Sequence, residues 1–136
     1  MPEETVERAV RESFARQCFL ATIGAKLIRV VRGEVDVELA NSERVRQQAG
    51  SVHAGAITTI ADVACGYAAL TTMPEGADVV SVEFKVNLLA PARGERVVAK
   101  ARVVRAGRTL TVCTADVFAD DTLVATMLGT FYAINR

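Results

Sequence analysis

Residues 47–72 constrain the fold of this 136-residue chain more than any other stretch. They carry one formal charge, Asp62, and the only histidine of the sequence, His53. Apolar residues recur every three or four positions and cover most of the circumference of a helix. Such a helix has to be surrounded by other elements, because exposed apolar surface is unfavourable in water. The sequence therefore predicts a buried central helix that ends near Pro74.

Asp62 is the residue of this helix best suited to chemistry. The residues three and four positions away are Thr58, Thr59, Cys65 and Gly66, so no lysine or arginine of the helix can pair with its carboxylate. Removing an unpaired carboxylate from water costs several kcal/mol. Asp62 must therefore find a partner elsewhere in the fold, raise its pKa or face a water-filled site, and such carboxylates are candidates for function. Cys65 shares this face, but its apolar setting predicts an inert core thiol.

The start of the central helix is built from small residues. Ser51 is predicted as the N-cap, and Ala54 and Gly55 leave the first-turn amides unscreened by large side chains. Because a helix N-terminus carries roughly half a positive charge, these amides are suited to stabilising an oxyanion. His53 and Asp62 are nine residues apart, which at about 100° per residue places them on nearly opposite faces. His53 is therefore predicted to hydrogen-bond backbone at the helix start and not to act as the general base.

Charge and composition argue against several classes of protein. Sixteen basic and sixteen acidic residues cancel, which argues against nucleic acid or an acidic membrane surface as the partner. With one histidine, no dedicated metal site is expected. The three cysteines are far apart and form no C-x-x-C motif, which predicts reduced thiols in a cytosolic protein. The N-terminal segment has no apolar run typical of a signal peptide, and a central aspartate argues against a membrane span over residues 54–73.

Around the central helix, the sequence predicts one amphipathic helix and six strands. The amphipathic helix covers about residues 2–17, with a short turn at 19–24. Alternating apolar residues and turn signals predict strands over residues 25–32, 34–39, 80–88, 95–106, 109–118 and 123–134. Short hairpin connections make the later strands antiparallel. The predicted fold class is α+β, with a curved antiparallel sheet wrapped round one long helix in a single domain over residues 1–136.

The same features predict self-association. A hydrophobic fraction of 51% is high for one small domain, which suggests that apolar surface is buried between subunits. Long strands also expose sheet edges, and a second copy can cover them. The expected state is at least a homodimer.

The spacing around the central helix resembles that of a known family. The pattern Q-x-x-G-x-x-H-x-G over residues 47–55, followed by Asp62, is similar to the signature of hotdog-fold acyl-CoA thioesterases of the phenylacetic-acid-degradation (PaaI-like) type. The similarity continues through VVSVEFKVNLLAPARGE, RVVRAGRTL and ATMLGTFYAI, and it covers residues 42–134. It implies a hotdog fold and a homodimer whose active site lies at the interface, with two dimers often forming a homotetramer.

The resemblance also implies roles for individual residues. Asp62 would act as general base on water or as nucleophile toward the thioester carbon. Gln47 would help place the thioester or the water across the interface. The backbone amide of Ala54, with Gly55 beside it, would donate to the oxyanion. Ser81 matches a serine that some members place at the start of the strand after the helix.

Two of the candidate assignments have open alternatives. Strand alternation puts Ser81 on the face opposite Val82 and Phe84, which are predicted to cover the helix. Ser81 would reach the helix carboxylate only if the strand starts irregularly or the site is reached across the interface. Arg105 and Arg108, at a predicted hairpin tip, could hold the phosphates of coenzyme A or belong to a solvated turn.

The sequence thus predicts a cytosolic acyl-CoA thioesterase that releases a carboxylic acid and free coenzyme A. Coenzyme A is part of this substrate, so no cofactor is expected. One alternative is a non-catalytic acyl-CoA-binding hotdog module. The other is a hotdog hydratase or dehydratase, whose chemistry usually needs a second acid or base, and the sequence offers no clear candidate for it.

Overall fold

The computed structural model describes residues 2–135 and has the order of elements that the sequence predicts. The helices are α1 (Glu3–Ala15), α2 (Cys18–Ile23) and α3 (Ala54–Leu70), with a 3-10 turn at Glu43–Val45. The strands are β1 (Ala25–Val31), β2 (Glu34–Ala40), β3 (Ala77–Leu88), β4 (Arg96–Ala106), β5 (Leu110–Ala119) and β6 (Thr122–Asn135). The turn predicted at residues 19–24 is the helix α2, which Gly24 ends in a left-handed conformation with φ of 79°.

The six strands form one antiparallel sheet in the order β1-β2-β4-β5-β6-β3. Helix α3 lies on one face of this sheet and contacts all six strands. The core between them includes Leu39, Ile60, Val117, Met127 and Phe131, which are fully buried. A curved sheet wrapped round one long helix is the hotdog fold, so the predicted fold class is confirmed. Within residues 2–135, no helix combines the length and the apolar character needed to cross a bilayer.

Strand β3 departs from the predicted alternation. It pairs with β6 on one side and forms an edge of the sheet, and its register with β6 shifts between Ser81 and Glu83. A bulge of one residue reverses the side-chain parity along a strand. Val82, at the bulge, is 56% exposed, so the prediction that it covers the helix is wrong. Phe84 pairs with Gly129 and shares the inner face with Val86, which packs against the core, although 41% of Phe84 stays exposed on this edge strand. Val79, on the Ser81 side of the bulge, also packs against the core.

The N-terminal helix braces one end of α3. Val6 and Val10 of α1 are buried. The hydroxyl of Tyr67, in the last turns of α3, lies 2.8 Å from Ser13 Oγ and accepts a hydrogen bond from Gln17 Nε2 at 2.6 Å. Polar contacts therefore fix where α1 crosses α3, in addition to apolar packing.

A close approach joins the connection between β3 and β4 to the turn between β5 and β6. Gly94 has a φ of 106°, and a Cβ atom there would overlap the Asp120 carboxylate. That carboxylate accepts backbone N–H bonds from Glu95 at 3.2 Å and Arg96 at 3.3 Å, so it is held in place. We expect Gly94→Ala to lower the free energy of unfolding by about 3 kcal/mol in urea denaturation. Gly76→Ala, where φ is 85° but the space is open, should cost clearly less, and equal losses would contradict the clash.

Candidate active site

Asp62 lies in the middle of α3 on the side that faces β3. The hydroxyl of Ser81 donates a hydrogen bond to Asp62 Oδ1 at 2.7 Å, and the bulge after Ser81 is what turns this side chain toward the helix. Burial raises the pKa of the Asp62 carboxyl above its usual value, and the Ser81 hydrogen bond offsets part of this rise. Among residues 2–135, no lysine or arginine forms an ion pair with it. Oδ2 is therefore left to contact water or a substrate.

His53 is the N-cap of α3. Its Nδ1 atom accepts a hydrogen bond from the Gly55 N–H at 2.8 Å, so the proton of a neutral imidazole is on Nε2. The prediction that His53 hydrogen-bonds backbone at the helix start is confirmed. The prediction of Ser51 as the cap is wrong, because the chain stays extended through His53, whose φ and ψ are −61° and 139°.

This cap decides which first-turn amides can reach a ligand. The Gly55 N–H is used by the His53 side chain, and the N–H groups of Ala56 and Ile57 bond to the His53 carbonyl at 3.0 and 3.2 Å. Within the described chain, no group accepts the N–H of Ala54. One unused donor therefore remains at the helix N-terminus, where the macrodipole adds partial positive charge.

Gln47 and Ala54 line one cavity of about 530 Å³, which is bounded on its other side by the chain following β3. The Gln47 Oε1 atom accepts a hydrogen bond from the Ala49 N–H, and the Gln47 N–H donates to the Ser51 carbonyl at 2.8 Å. Because the side-chain oxygen is occupied by a backbone donor, Nε2 is the end that can donate to a ligand.

The candidate residues fall into two groups, called half-sites below, which one chain does not bring together. Asp62 and Ser81 line a cavity of about 190 Å³, which is separate from the cavity of Gln47 and Ala54. Eight residues separate Ala54 from Asp62, which is a rise of about 12 Å along the helix axis. The carbon and oxygen of a carbonyl are only about 1.2 Å apart. With contacts of about 3 Å at each end, a single carbonyl spans roughly 7 Å, which is shorter than this rise.

The remaining candidates lie outside both cavities. Arg105 and Arg108 are exposed at the β4–β5 hairpin. Strand β6 lies between β5 and the edge strand β3, so the hairpin is about two strand spacings, or roughly 10 Å, from the β3 edge of the sheet. Their contact with coenzyme A stays a prediction. Burial raises the pKa of Cys65 far above its usual value and that of Cys113 to about 12. A nucleophilic thiolate needs the opposite shift, which agrees with an inert core thiol at Cys65.

The structure adds residues that the sequence reasoning missed. Ser13, Gln17 and Tyr67 line the cavity of Asp62, and so does a second carboxylate, Asp78. A signal for the first two was present: they continue the 3.6-residue stripe of the apolar residues in α1 and yet are polar. Polar residues that continue an apolar stripe indicate hydrogen bonds to another element of the fold.

The six-stranded antiparallel sheet with one long helix on its face defines the class of the protein, the hotdog fold. A family model described as the Thioesterase superfamily matches residues 49–126, which include Ala54, Asp62 and Ser81. The chain belongs to the Thioesterase superfamily, and it is a thioester hydrolase.

Solved structures and curated relatives agree with this membership. A thioesterase family protein from Silicibacter pomeroyi is 45% identical, with a TM-score of 0.92 over 96% of this chain and 99% of that one. The Escherichia coli PaaI protein from the phenylacetic acid degradation operon has a TM-score of 0.89 over 98% and 96% of the two chains, and at 18% identity it supports the fold alone.

Among curated relatives, human acyl-coenzyme A thioesterase 13 is 32% identical over 91 residues, which are 66% of this chain and 64% of that protein. A Saccharolobus solfataricus protein provisionally named an esterase is 31% identical over 131 residues, covering 94% of this chain and 92% of that protein.

Proposed function

We propose that this protein hydrolyses acyl-CoA thioesters to a carboxylic acid and free coenzyme A. The observation that carries the proposal is the state of Asp62, a half-buried carboxylate with a raised pKa, one oxygen held by Ser81 and the other open to the cavity. A base with a raised pKa accepts a proton from water more readily. The human relative named an acyl-coenzyme A thioesterase supports coenzyme A as the leaving group.

The other candidate residues have complementary roles in this proposal. The Ala54 N–H donates to the thioester oxygen as it becomes negative, in the field of the helix N-terminus. Gly55 does not donate, because its N–H is bound to His53. The Nε2 group of Gln47 orients the thioester or the water, and Asp62 Oδ2 activates that water or attacks the thioester carbon directly.

Two copies of the chain assemble each active site in this proposal. The separation of Ala54 and Asp62 along α3 calls for a second copy, and the open edge of β3, which carries Ser81, offers the place for it. A two-fold axis that lies beside β3 and is perpendicular to α3 makes the two α3 helices antiparallel, so the first turn of one approaches Asp62 of the other. The exposed apolar row of Val80, Leu110 and Tyr132 across the outer sheet face supports pairing of dimers into a homotetramer.

We place the protein in the cytosol, consistent with its three free thiols.

The test is the release of free thiol from a panel of saturated acyl-CoAs. We expect release far above spontaneous hydrolysis for at least one acyl group. The same preparation is given a 2-enoyl-CoA, because Asp78, which lines the same cavity as Asp62, is a second carboxyl group of the kind that a hydratase would use. Loss of the enoyl double bond without thiol release would favour the hydratase. Binding of acyl-CoA without either reaction would favour the non-catalytic module.

Replacing Ser81 tests how Asp62 is held. We expect Ser81→Ala to lower kcat/KM by about 10- to 100-fold, the range for losing a hydrogen bond to a charged group. Because that bond opposes the rise in the Asp62 pKa, its loss raises the pKa further, and the acidic limb of the pH profile of kcat/KM should move to higher pH. Ser42→Ala, a loop serine without a side-chain cap bond, is the matched control. An unmoved acidic limb in Ser81→Ala would contradict the role of this hydroxyl.

A further inference from the structure

The cavity beside Asp62 has a polar far wall that the hydrolysis itself does not use. Ser13 and Gln17 of the N-terminal segment and Tyr67 of α3 form this wall and are joined by hydrogen bonds through the Tyr67 hydroxyl. We infer that this cavity receives the acyl group, and that the Tyr67 hydroxyl cluster selects acyl groups whose far end carries a neutral hydrogen-bonding group such as a hydroxyl. The inference rests on the proposed acyl-CoA hydrolysis.

The hydrogen-bond inventory of the cluster leaves one donor unused. The hydroxyls of Ser13 and Tyr67 have one proton each, and the bond between their oxygens uses one of the two. Gln17 donates from Nε2 to the Tyr67 oxygen, so it adds no acceptor there for the second proton. Whichever hydroxyl donates within the pair, the other keeps a proton for a ligand. A partly buried donor of this kind favours a ligand that accepts a hydrogen bond over an otherwise equal apolar one.

The size of the cavity suits a compact acyl group. Its volume is about 190 Å³, and a cavity of roughly 150 Å³ holds a benzene molecule. Gly66 contributes to this space, one helical turn after Asp62. A Cβ atom at Gly66 would meet only the Phe131 ring, at 3.8 Å, so packing against the core leaves room for alanine.

The charge of the cavity wall limits what the polar end can be. Asp62 lines the cavity, and within residues 2–135 no lysine or arginine is among its lining residues. A second carboxylate at the far end of the acyl group would therefore be repelled by the Asp62 carboxylate. The favoured end group is neutral, and the dicarboxylic acyl-CoAs are disfavoured.

The test compares pairs of acyl-CoAs that differ in one hydroxyl. Butanoyl-CoA and hexanoyl-CoA are each measured against the analogue with a terminal hydroxyl, by thiol release. We expect kcat/KM of the wild-type protein to favour the hydroxylated member of at least one pair by about fivefold, the size expected for one neutral hydrogen bond. Tyr67→Phe, which removes the hydroxyl and keeps the ring, should bring this ratio close to one. Tyr132→Phe, the same change at the other tyrosine of the chain, on the outer sheet face, should keep the ratio.

The outcomes separate this inference from the proposed function. Hydrolysis without preference for the hydroxylated members in the wild-type protein would overturn the acyl-pocket assignment and leave the thioesterase proposal standing. A preference that persists in Tyr67→Phe would also overturn the assignment, because another group would then read the hydroxyl. Failure to release thiol from every acyl-CoA would instead overturn the proposed function.

Discussion

Replacing Ala54 with proline is expected to lower kcat by about 100- to 1000-fold while the fold is retained. This range is typical for removing one oxyanion donor. Proline has no N–H, so the substitution removes the one first-turn amide donor that the helix does not use. Ala54 is the first residue of α3, the helical position where proline is favoured. His53, the residue before it, already has the extended backbone that a following proline requires.

The measurement is steady-state thiol release together with thermal unfolding of the same preparations. Ala54→Gly is the matched control, because it changes the same side chain and keeps the N–H. We expect its loss in kcat to stay below about tenfold, since the oxyanion donor itself is retained. Equal losses in the two variants would contradict the role of the Ala54 amide.

The central helix and its carboxylate could be predicted because their signals are local. A run of apolar residues with helical spacing identifies α3 without knowledge of its neighbours. The lack of a basic residue one turn from Asp62 is also visible in the sequence, and it indicates an unusual carboxylate. The structure agrees on both points, since α3 contacts the whole sheet and burial raises the Asp62 pKa.

The partner of Asp62 could not be predicted because it depends on strand register. Regular alternation turns Ser81 away from α3, and only the bulge before Glu83 reverses it. That bulge is fixed by pairing with β6, about fifty residues later in the chain. Pairing over such a separation leaves no trace in the local alternation.

Which amide remains as a donor at the helix start could not be predicted, because it depends on a side-chain conformation. Ala54 and Gly55 are equivalent in the sequence, as two small residues with exposed amides. The His53 side chain folds back onto the Gly55 N–H and leaves only the Ala54 N–H unused. The Tyr67 hydroxyl cluster was missed for a similar reason, since its two polar partners come from the N-terminal segment, 54 and 50 residues earlier in the chain.

Asp62→Asn is expected to lower kcat/KM by at least about 100-fold and to stabilise the folded protein at neutral pH. The loss follows because an amide can neither accept a proton from water nor attack the thioester. Asparagine keeps the size of the side chain and an oxygen that can accept the Ser81 hydrogen bond. The gain in stability follows because the ionised carboxylate is less well solvated in the folded protein than in the unfolded chain.

The sign of the pH dependence follows from the raised pKa of Asp62. Between the ordinary aspartate pKa and the higher folded value, the folded state binds more protons than the unfolded state. Stability contributed by this group therefore falls as pH rises through that window, and the cost remains at neutral pH. The melting temperature of Asp62→Asn should exceed that of the wild type at pH 7, and the difference should shrink toward pH 4 and below. A lower melting temperature at pH 7 would show that the carboxylate is stabilised by a partner.

A mixture of Asp62→Asn and Ala54→Pro subunits decides whether the two half-sites come from different chains. If each site takes Asp62 from one subunit and Ala54 from its partner, every mixed dimer has one intact site and one doubly defective site. Random association of equal amounts makes half of the dimers mixed, so about a quarter of the wild-type sites should be restored. If both residues served the same site from one chain, every site would carry a defect and no activity would return. The refolded mixture, compared with each variant refolded alone, therefore tests the roughly 12 Å separation along α3 directly.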